Sequence, residues 1–213
     1  MIEFANKEDV EQIKKLWKNV FGDSDDYIIR YLKEFLPYVC IYKENRFIKG
    51  MVSLIPITMN DKKGRYVYAA ATEEKSRGRG IATKLLEYAQ KFIKQQNEDF
   101  LVLVPAEKSL FDFYKKRGYR AVSPLKIIEC DDISSGSTHL EAKKILPKKL
   151  SELREKFFKK ENFIAWGEKE LEYIWKIYDG NFFHITGDEV SLRDIETGED
   201  VAYAIAQEVI GKR

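Results

Sequence analysis

Two arginines and two glycines lie close together in the stretch Arg77-Gly78-Arg79-Gly80-Ile81-Ala82, immediately before an apolar-periodic helix. The first N–H groups of a helix have no partner within the helix, and they carry the positive end of its dipole. Because this junction includes small residues, the oxygens of a phosphate group can approach the bare N–H groups closely. The stretch therefore predicts an anion site.

This glycine loop, residues 77–82, does not follow the two commonest nucleotide-binding patterns. It contains neither Gly-x-Gly-x-x-Gly nor Gly-x-x-x-x-Gly-Lys-Ser/Thr. A tight turn between a strand and a helix, with a basic face in solvent, explains the loop equally well when the loop is considered alone. Glu73 and Glu74 precede the loop, and these carboxylates are expected to be solvated or paired with the neighbouring basic residues rather than catalytic.

The elements that position the glycine loop follow from hydrophobic periodicity and from turn residues. The first helix is expected to begin at an Asn6 cap and to end at Gly22, and the second is expected to begin behind an acidic cap formed by Asp23, Asp25 and Asp26. In chain order, the expected elements are a strand at 1–4, helices at 6–21 and 23–36, strands at 38–47, 48–60 and 65–72, the helix after the glycine loop, a strand at 99–106, a helix at 109–118, and strands at 119–122 and 125–130. The three central strands are expected to form an antiparallel meander, and the apolar run at 99–106 is typical of a strand buried on both faces.

A change in composition after residue 130 marks the expected domain boundary. Residues 131–139 lack apolar periodicity and are rich in Ser, Gly and Asp, which is typical of a long loop. Beyond them, helices are expected at 147–160 and 167–179, and strands at 182–187, 189–196 and 200–210. We therefore expect a domain of residues 1–130, a boundary loop of residues 131–144 and a folded α+β extension of residues 145–213, whose role the sequence does not reveal.

The pattern Arg77-x-x-Gly80-x-Ala82 matches the Arg/Gln-x-x-Gly-x-Gly/Ala signature of the GNAT superfamily of acyl-CoA-dependent N-acyltransferases. The stretch FYKKRGY, which contains Tyr114, resembles the end of this family's Tyr-x-x-x-Gly-Phe/Tyr helix, and the order of elements agrees over about residues 1–130. The resemblance implies an α+β fold, an α/β sandwich in which helices flank a mixed, mostly antiparallel central sheet. It also implies an N-acetyltransferase that takes acetyl from acetyl-CoA and passes it to an amine acceptor, without a metal.

The resemblance also implies which residues form the site. In the family, the signature loop binds the coenzyme A pyrophosphate, and the backbone of the preceding strand contacts the pantetheine and the acyl group. The implied coenzyme contacts in this chain are Ala71, Thr72, Arg77, Gly78, Arg79, Gly80, Ile81, Ala82 and Thr83. The backbone N–H groups near Ala71 and Thr72 are the expected oxyanion donors if a bulge in the strand frees them from the ladder.

Tyr114 corresponds to the tyrosine that serves as general acid in the family. Its phenol is mostly protonated at neutral pH and is suited to protonating the leaving thiolate. Packing beside Leu110 and Phe111 is the alternative role for this side chain.

The sequence departs from the family near the tyrosine helix and on the strand before the glycine loop. Glu107 stands where the family often carries Asn, and Leu110 stands where it often carries Ala. No glutamate lies on the strand at 65–72, where some members keep a general base, so the base is left unassigned. The alternative function is a regulatory module that binds acyl-CoA without activity.

The balance of charged residues argues against nucleic acid and anionic membranes as partners. Lys and Arg total 37 against 35 for Asp and Glu, and the net charge of +2 offers no chain-wide field for nucleic acid or an anionic membrane. The lysines between residues 143 and 160 are interleaved with acidic residues, which is typical of a solvated helix face. The charged N-terminus lacks the apolar core of a signal peptide, and no apolar run approaches the roughly 20 residues of a bilayer span. We therefore expect a cytoplasmic location.

Cysteines and histidines are few, and their spacing predicts no metal site. Cys40 and Cys130 each lie in an apolar, strand-like stretch and are expected to be buried as small hydrophobic residues rather than joined in a disulfide. His139 and His184 have no clustered ligands, and His184 is expected in a strand core. A homodimer is compatible with the sequence, which determines neither the oligomeric state nor the acceptor amine nor the length of the acyl chain.

Overall fold

A sheet of five strands organises the N-terminal part of the chain in this computed structural model, which describes residues 1–122, 140–157, 164–177, 182–187 and 202–205. The strands are β1 (Ile2–Phe4), β2 (Val39–Glu44), β3 (Phe47–Met59), β4 (Lys62–Thr72) and β5 (Phe100–Val102). They lie side by side in chain order, and every neighbouring pair is antiparallel except β4 and β5. The expected mixed, mostly antiparallel sheet is confirmed.

Tight turns of two residues join the three central strands. Asn45 and Arg46 have φ values of 48° and 68° between β2 and β3, and Asn60 and Asp61 have φ values of 49° and 64° between β3 and β4. Two-residue turns with positive φ match the right-handed twist of paired antiparallel strands. The expected meander is thus present, and its last strand, β4, ends at Thr72, shortly before the glycine loop.

Four helices accompany this sheet: α1 (Val10–Phe21), α2 (Asp25–Phe35), α3 (Ile81–Gln95) and α4 (Ser109–Lys115). The Asn6 side chain accepts a bond from the N–H of Glu8 at 2.8 Å, and it forms a capping box with Asp9 at the single 3-10 turn that leads into α1. Gly22 ends α1 with a φ of 77°. Both ends of the first helix therefore lie where the sequence predicts them.

The cap of α2 differs from the expectation. The side chain of Ser24 accepts the N–H of the third helical residue at 3.2 Å, so the cap is a serine and not an aspartate. Asp25 and Asp26 occupy the first turn, where carboxylates interact favourably with the helix dipole. Asp23 instead accepts a bond from the indole N–H of Trp17 at 2.7 Å.

Apolar side chains from both faces of the sheet pack against helices. On one face the core consists of Cys40, Val52, Leu54 and Val67 from the strands and Ile81, Leu85, Leu86 and Ala89 from α3. Because side chains alternate along a strand, Tyr68 points to the opposite face, where its ring centroid lies 5.9 Å from Trp17 of α1 and 5.5 Å from Tyr31 of α2. The expected sandwich is confirmed.

Cys40 lies within the α3 core and has no exposed surface. Burial raises the pKa of its thiol to about 12, so the thiol stays protonated. Its expected role as a small buried hydrophobic residue is confirmed, whereas Cys130 lies outside the described residues.

Gly50 of β3 lies beneath the start of α3. A Cβ atom at this position would stand 2.6 Å from Cγ2 of Ile81 and 3.2 Å from the carbonyl oxygen of Ala71. The first turn of α3 therefore approaches the sheet as closely as a glycine allows.

Replacing Gly50 by Ala is expected to destabilise the fold by about 1–3 kcal/mol, because the added methyl group overpacks a filled core. The midpoint and slope of urea unfolding measure this cost. The matched comparison is the same substitution in an Ile81→Ala background, which removes the nearest obstructing atom. We expect a smaller cost there, and equal costs in the two backgrounds would contradict the packing argument.

The strand after α3 is shorter and less buried than the sequence predicts. All three residues of β5, Phe100–Val102, are half-buried, so the expectation of a strand buried on both faces is wrong. The apolar run continues because Leu103 still packs against the α3 core after the chain has left the sheet. Residues 119–122 form no strand, contrary to expectation, and the strand expected at 125–130 lies outside the described residues.

The chain divides into two units, Met1–Val122 and Ser123–Arg213, and the described residues of the second form a small sheet and two helices. Its described elements are β6 (Leu140–Lys144), α5 (Pro147–Phe157), α6 (Glu168–Ile177), β7 (Phe182–Gly187) and β8 (Ala202–Ile205). The three strands are antiparallel in the order β6-β7-β8, and Leu150 and Leu171 form a core between the helices. Residues 140–144, expected in the boundary loop, form a strand. The domain boundary itself stays a prediction, because residues 123–139 lie outside the described part of the chain.

None of the helices in the described residues has the length and apolar character needed to cross a membrane.

Candidate functional site

The glycine loop connects the end of β4 to α3 through one 3-10 turn, Glu74–Ser76. Gly78 and Gly80 have φ values of 76° and 75°, a left-handed conformation that side chains other than glycine rarely adopt. A Cβ atom at either position would meet no atom within 4 Å, so open space lies beside both glycines. The loop thus leaves its backbone accessible at the start of α3, as the sequence predicts.

A carboxylate anchors the base of the loop. Glu73 accepts bonds at 2.7 Å from the ammonium of Lys49 and from the hydroxyl of the buried Ser76, and its N–H donates to the carbonyl of Lys49 at 2.9 Å. These bonds lower the pKa of the Glu73 carboxyl, which makes it a weaker base. Glu73 is therefore paired, as expected, but with a lysine of β3 rather than with the basic residues of the loop.

The two arginines of the loop differ in their contacts. The guanidinium of Arg79 forms an ion pair with Glu44 at the end of β2, with N–O distances of 2.9 and 3.0 Å. The side chain of Arg77 is exposed and forms no hydrogen bond or ion pair with the residues that the structure describes. Arg77 is thus the loop cation with the least competition for a bound anion.

The first turn of α3 presents one buried and two partly accessible residues to this region. Ile81 points into the core and is 2% exposed, so only its backbone is available to a ligand. Ala82 and Thr83 are half-buried. The hydroxyl oxygen of Thr83 accepts two bonds from Arg117, at 2.9 Å from Nε and 2.6 Å from Nη2.

A β-bulge interrupts β4 just before the glycine loop. Met51 pairs with Ala71 and Ser53 pairs with Tyr68, so the single residue between them on β3 faces both Ala69 and Ala70. Ala69 has a φ of 48°, in the left-handed region. A bulge leaves one residue out of the ladder, and here it lies at Ala69–Ala70, before the positions 71 and 72 that the sequence singles out. Those two positions are in register with β3.

The pairing of β4 with β5 ends before this bulge. The two parallel strands pair from Gly64 with Phe100 to Tyr66 with Val102 and no further. Within the described residues, the segment from Ala69 to Thr72 has no strand beside it on the β5 side. The bulge therefore lies on the open edge of β4, where an extended ligand can pair with the strand through backbone hydrogen bonds.

Tyr114 lies on α4 and packs against the α3 core. Its ring makes edge contacts with Phe113 and Tyr119, at centroid distances of 5.3 and 5.6 Å. Burial raises the pKa of the half-buried phenol above its ordinary value, so the hydroxyl keeps its proton at neutral pH. Tyr114 thus has a packing role, but its ring contacts are Phe113 and Tyr119 and not the expected Leu110 and Phe111. Its phenol oxygen makes no hydrogen bond within the described residues.

The sequence analysis does not identify three residues of this region, Gly50, Arg117 and Ala69. Gly50 has a signal, because an isolated glycine in a strand marks close approach of another backbone. Arg117 stands inside the quoted FYKKRGY stretch, but a basic residue at a helix end is ordinarily explained by the helix dipole. Ala69 has no signal, since alanine carries no preference for a left-handed conformation.

In the part of the chain that the structure describes, no three His, Cys, Asp or Glu side chains come together in a group that could hold a metal ion.

Comparisons with known proteins give a consistent result for the first unit. A family model described as an acetyltransferase (GNAT) domain matches residues 1–122. A GCN5-related N-acetyltransferase from Anabaena variabilis superposes with a TM-score of 0.65 at 18% identity, over 92% of this chain and 55% of that chain. A glucosamine-6-phosphate N-acetyltransferase from Arabidopsis thaliana superposes with a TM-score of 0.50 at 18% identity, over 62% of this chain and 98% of that chain.

A structure of AAC(6')-Iy in complex with the bisubstrate analog CoA-S-monomethyl-acetylneamine also superposes, with a TM-score of 0.52 at 17% identity over 62% of this chain and 97% of that chain. At these identities the structural likeness shows the fold. No curated protein matched the sequence.

Proposed function

This chain belongs to the GNAT family of N-acetyltransferases, and from that premise we propose that it transfers the acetyl group of acetyl-CoA to a primary amine of a small molecule, peptide or protein. The observation that carries the proposal is the open edge of β4, which has a bulge at Ala69 and leads through one 3-10 turn into the glycine loop. The open edge of β4, followed along the chain by the anion site of the glycine loop, fits a ligand that is extended at one end and phosphorylated at the other.

The glycine loop fits the pyrophosphate of coenzyme A. Bare N–H groups at the start of α3 favour an anion, and the space beside Gly78 and Gly80 leaves room for it. The exposed guanidinium of Arg77 adds a positive charge that no described carboxylate neutralises. We assign the phosphate contacts to Arg77, Gly78, Arg79, Gly80, Ile81, Ala82 and Thr83, with Arg79 exchanging Glu44 for the ligand.

The open edge of β4 fits the pantetheine and the acyl group. Ala71 and Thr72 belong to the segment without a neighbouring strand, where backbone groups that point away from β3 are available to an amide-bearing chain. The bulge at Ala69 takes a residue out of the ladder, and a backbone N–H freed in this way can stabilise negative charge on the thioester oxygen. We therefore place the acyl carbonyl beside the bulge.

Tyr114 is the proposed general acid. The acceptor nitrogen forms a bond to the acyl carbon, the carbon–sulfur bond breaks, and the thiolate takes the phenolic proton of Tyr114. The amine loses its proton to water, because Glu73, the carboxylate at the base of the loop, is held by Lys49 and Ser76 and has a lowered pKa.

Saturating acetyl-CoA is expected to raise the melting temperature, because ligand at about 100 times its dissociation constant stabilises the native state by roughly 2.7 kcal/mol. Pantetheine lacks the phosphates and should give a much smaller shift at the same concentration. Release of free thiol from acetyl-CoA, measured over a panel of primary amines, then identifies the acceptor. The proposal fails if acetyl-CoA produces no melting shift, or if it binds and no amine in a broad panel releases thiol.

A further inference from the structure

Arg117 makes an unusual contact at the start of α3. Its Nε and Nη2 atoms both donate to the hydroxyl oxygen of Thr83, at 2.9 and 2.6 Å, and its Nη1 atom donates to the carbonyl of Phe113 at 2.6 Å. The guanidinium also lies 3.5 Å from the centre of the Phe113 ring. One side chain thus joins the end of α4 to the third residue of α3, within the glycine-loop region.

The contact determines what the Thr83 hydroxyl can still do. A hydroxyl group has two acceptor lone pairs and one donor hydrogen. Because both bonds from Arg117 end on the hydroxyl oxygen, the O–H hydrogen is directed away from the guanidinium, and Thr83 donates it to no acceptor within the described residues. The hydroxyl is therefore held as a donor in the first helical turn, where the backbone N–H groups are also donors.

Charge favours an anionic partner for this donor. The guanidinium of Arg117 is half-buried and forms no ion pair with a carboxylate in the described parts of the chain, and a partly buried charge without a counter-ion is unfavourable. A hydrogen bond to a charged acceptor is also shorter and stronger than one to a neutral acceptor. A phosphate oxygen at Thr83 satisfies the hydroxyl and supplies the missing negative charge together.

We propose that Arg117 is a positioning residue that orients the Thr83 hydroxyl as a donor to a phosphate oxygen of coenzyme A. The inference rests on the proposed function, since it requires that the phosphates lie at the start of α3. The bond from Nη1 to Phe113 holds the guanidinium in place, so the threonine hydroxyl is oriented before the ligand arrives. Preorganisation of this kind increases affinity by lowering the cost of ordering on binding.

A double-mutant cycle on coenzyme A affinity tests this inference. Thr83→Val removes the donor and keeps the shape of the side chain, and we expect about a tenfold higher Kd from the loss of a hydrogen bond to a charged group. Arg117→Lys keeps the charge but not the two-pronged geometry, and we expect a similar increase. In the Thr83→Val background, Arg117→Lys should add less than about twofold, because its effect passes through the hydroxyl. Thr83→Ser retains the hydroxyl and should stay within about threefold of the unchanged protein.

The possible outcomes separate this inference from the function beneath it. If the unchanged protein does not bind coenzyme A, the proposed function and this inference are both overturned. If it binds and Thr83→Val has no effect, or if the two single effects multiply in the double variant, only this inference is overturned. Melting temperatures without ligand report whether each variant folds. If Arg117→Lys does not fold, the Kd values of the Thr83 variants test the inference. A merely structural role predicts lower melting temperatures with unchanged Kd in the folded variants.

Discussion

Replacing Tyr114 by Phe is expected to lower kcat by about 10²–10⁴-fold, because it removes the proton that we propose Tyr114 gives to the leaving thiolate. The phenylalanine ring fills the same space beside Phe113 and Tyr119, so the packing of α4 against the α3 core is kept. Affinity for acetyl-CoA should be nearly unchanged, since the proton is needed in the transition state and not in the bound ground state. The measurements are kcat with the best amine of the panel and the melting shift with acetyl-CoA.

Tyr119→Phe provides the matched control. Tyr119 is a neighbouring half-buried tyrosine whose pKa burial raises to about 12, and its substitution should change kcat by less than about threefold. Because burial also raises the pKa of Tyr114 above its ordinary value of 10.0, its acid form persists as the pH rises. Deprotonation of Tyr114 should therefore not reduce kcat below about pH 10. A loss under threefold in Tyr114→Phe, with the melting shift intact, would remove this residue from the reaction.

Replacing Gly80 by Asp is expected to abolish the melting shift that acetyl-CoA produces. The new side chain would extend into the open space beside the first turn of α3, where we place the pyrophosphate. A like charge placed against a ligand costs several kcal/mol, and each 1.4 kcal/mol is tenfold in affinity, so Kd should rise by more than about 100-fold. Isothermal titration with coenzyme A measures the change directly.

Gly80→Asn separates charge from backbone strain. Asparagine has nearly the shape of aspartate and tolerates the left-handed conformation at least as well, but it is neutral. We expect it to keep a measurable part of the shift. Equal losses in the two variants would attribute the effect to the backbone, and a full shift in Gly80→Asp would place the phosphates elsewhere.

Local signals account for what the sequence predicts correctly. The glycine loop, the Asn6 cap, the end of α1 at Gly22 and the meander all depend on residues within a few positions of one another. The family signature is also local, since Arg77, Gly80 and Ala82 lie in one short stretch. The resemblance that it identifies adds the order of elements. Each of these features can therefore be found without knowing which parts of the chain meet in space.

Contacts between distant parts of the chain explain what the sequence does not predict. Glu73 pairs with Lys49, 24 residues away, and no local pattern distinguishes this lysine from the nearer basic residues. The length of β5 depends on where β4 and β5 separate, which is a property of the sheet as a whole. The role of Arg117 depends on Thr83, 34 residues earlier, so the motif that contains the arginine gives no hint of it.

The left-handed conformation of Ala69 lowers the stability of the fold and belongs to the bulge that we propose serves catalysis. An L-residue other than glycine in this conformation costs about 1–2 kcal/mol, a sizeable share of the roughly 5–15 kcal/mol that stabilises a typical domain. Deleting the extra residue would restore a regular ladder and recover that energy, but it would also return the freed backbone group to β3. If the freed backbone N–H acts at the thioester oxygen as we propose, changes that restore the regular ladder at Ala69 are expected to raise stability and lower turnover, so selection for a rigid ladder and selection for catalysis act in opposite directions on this residue.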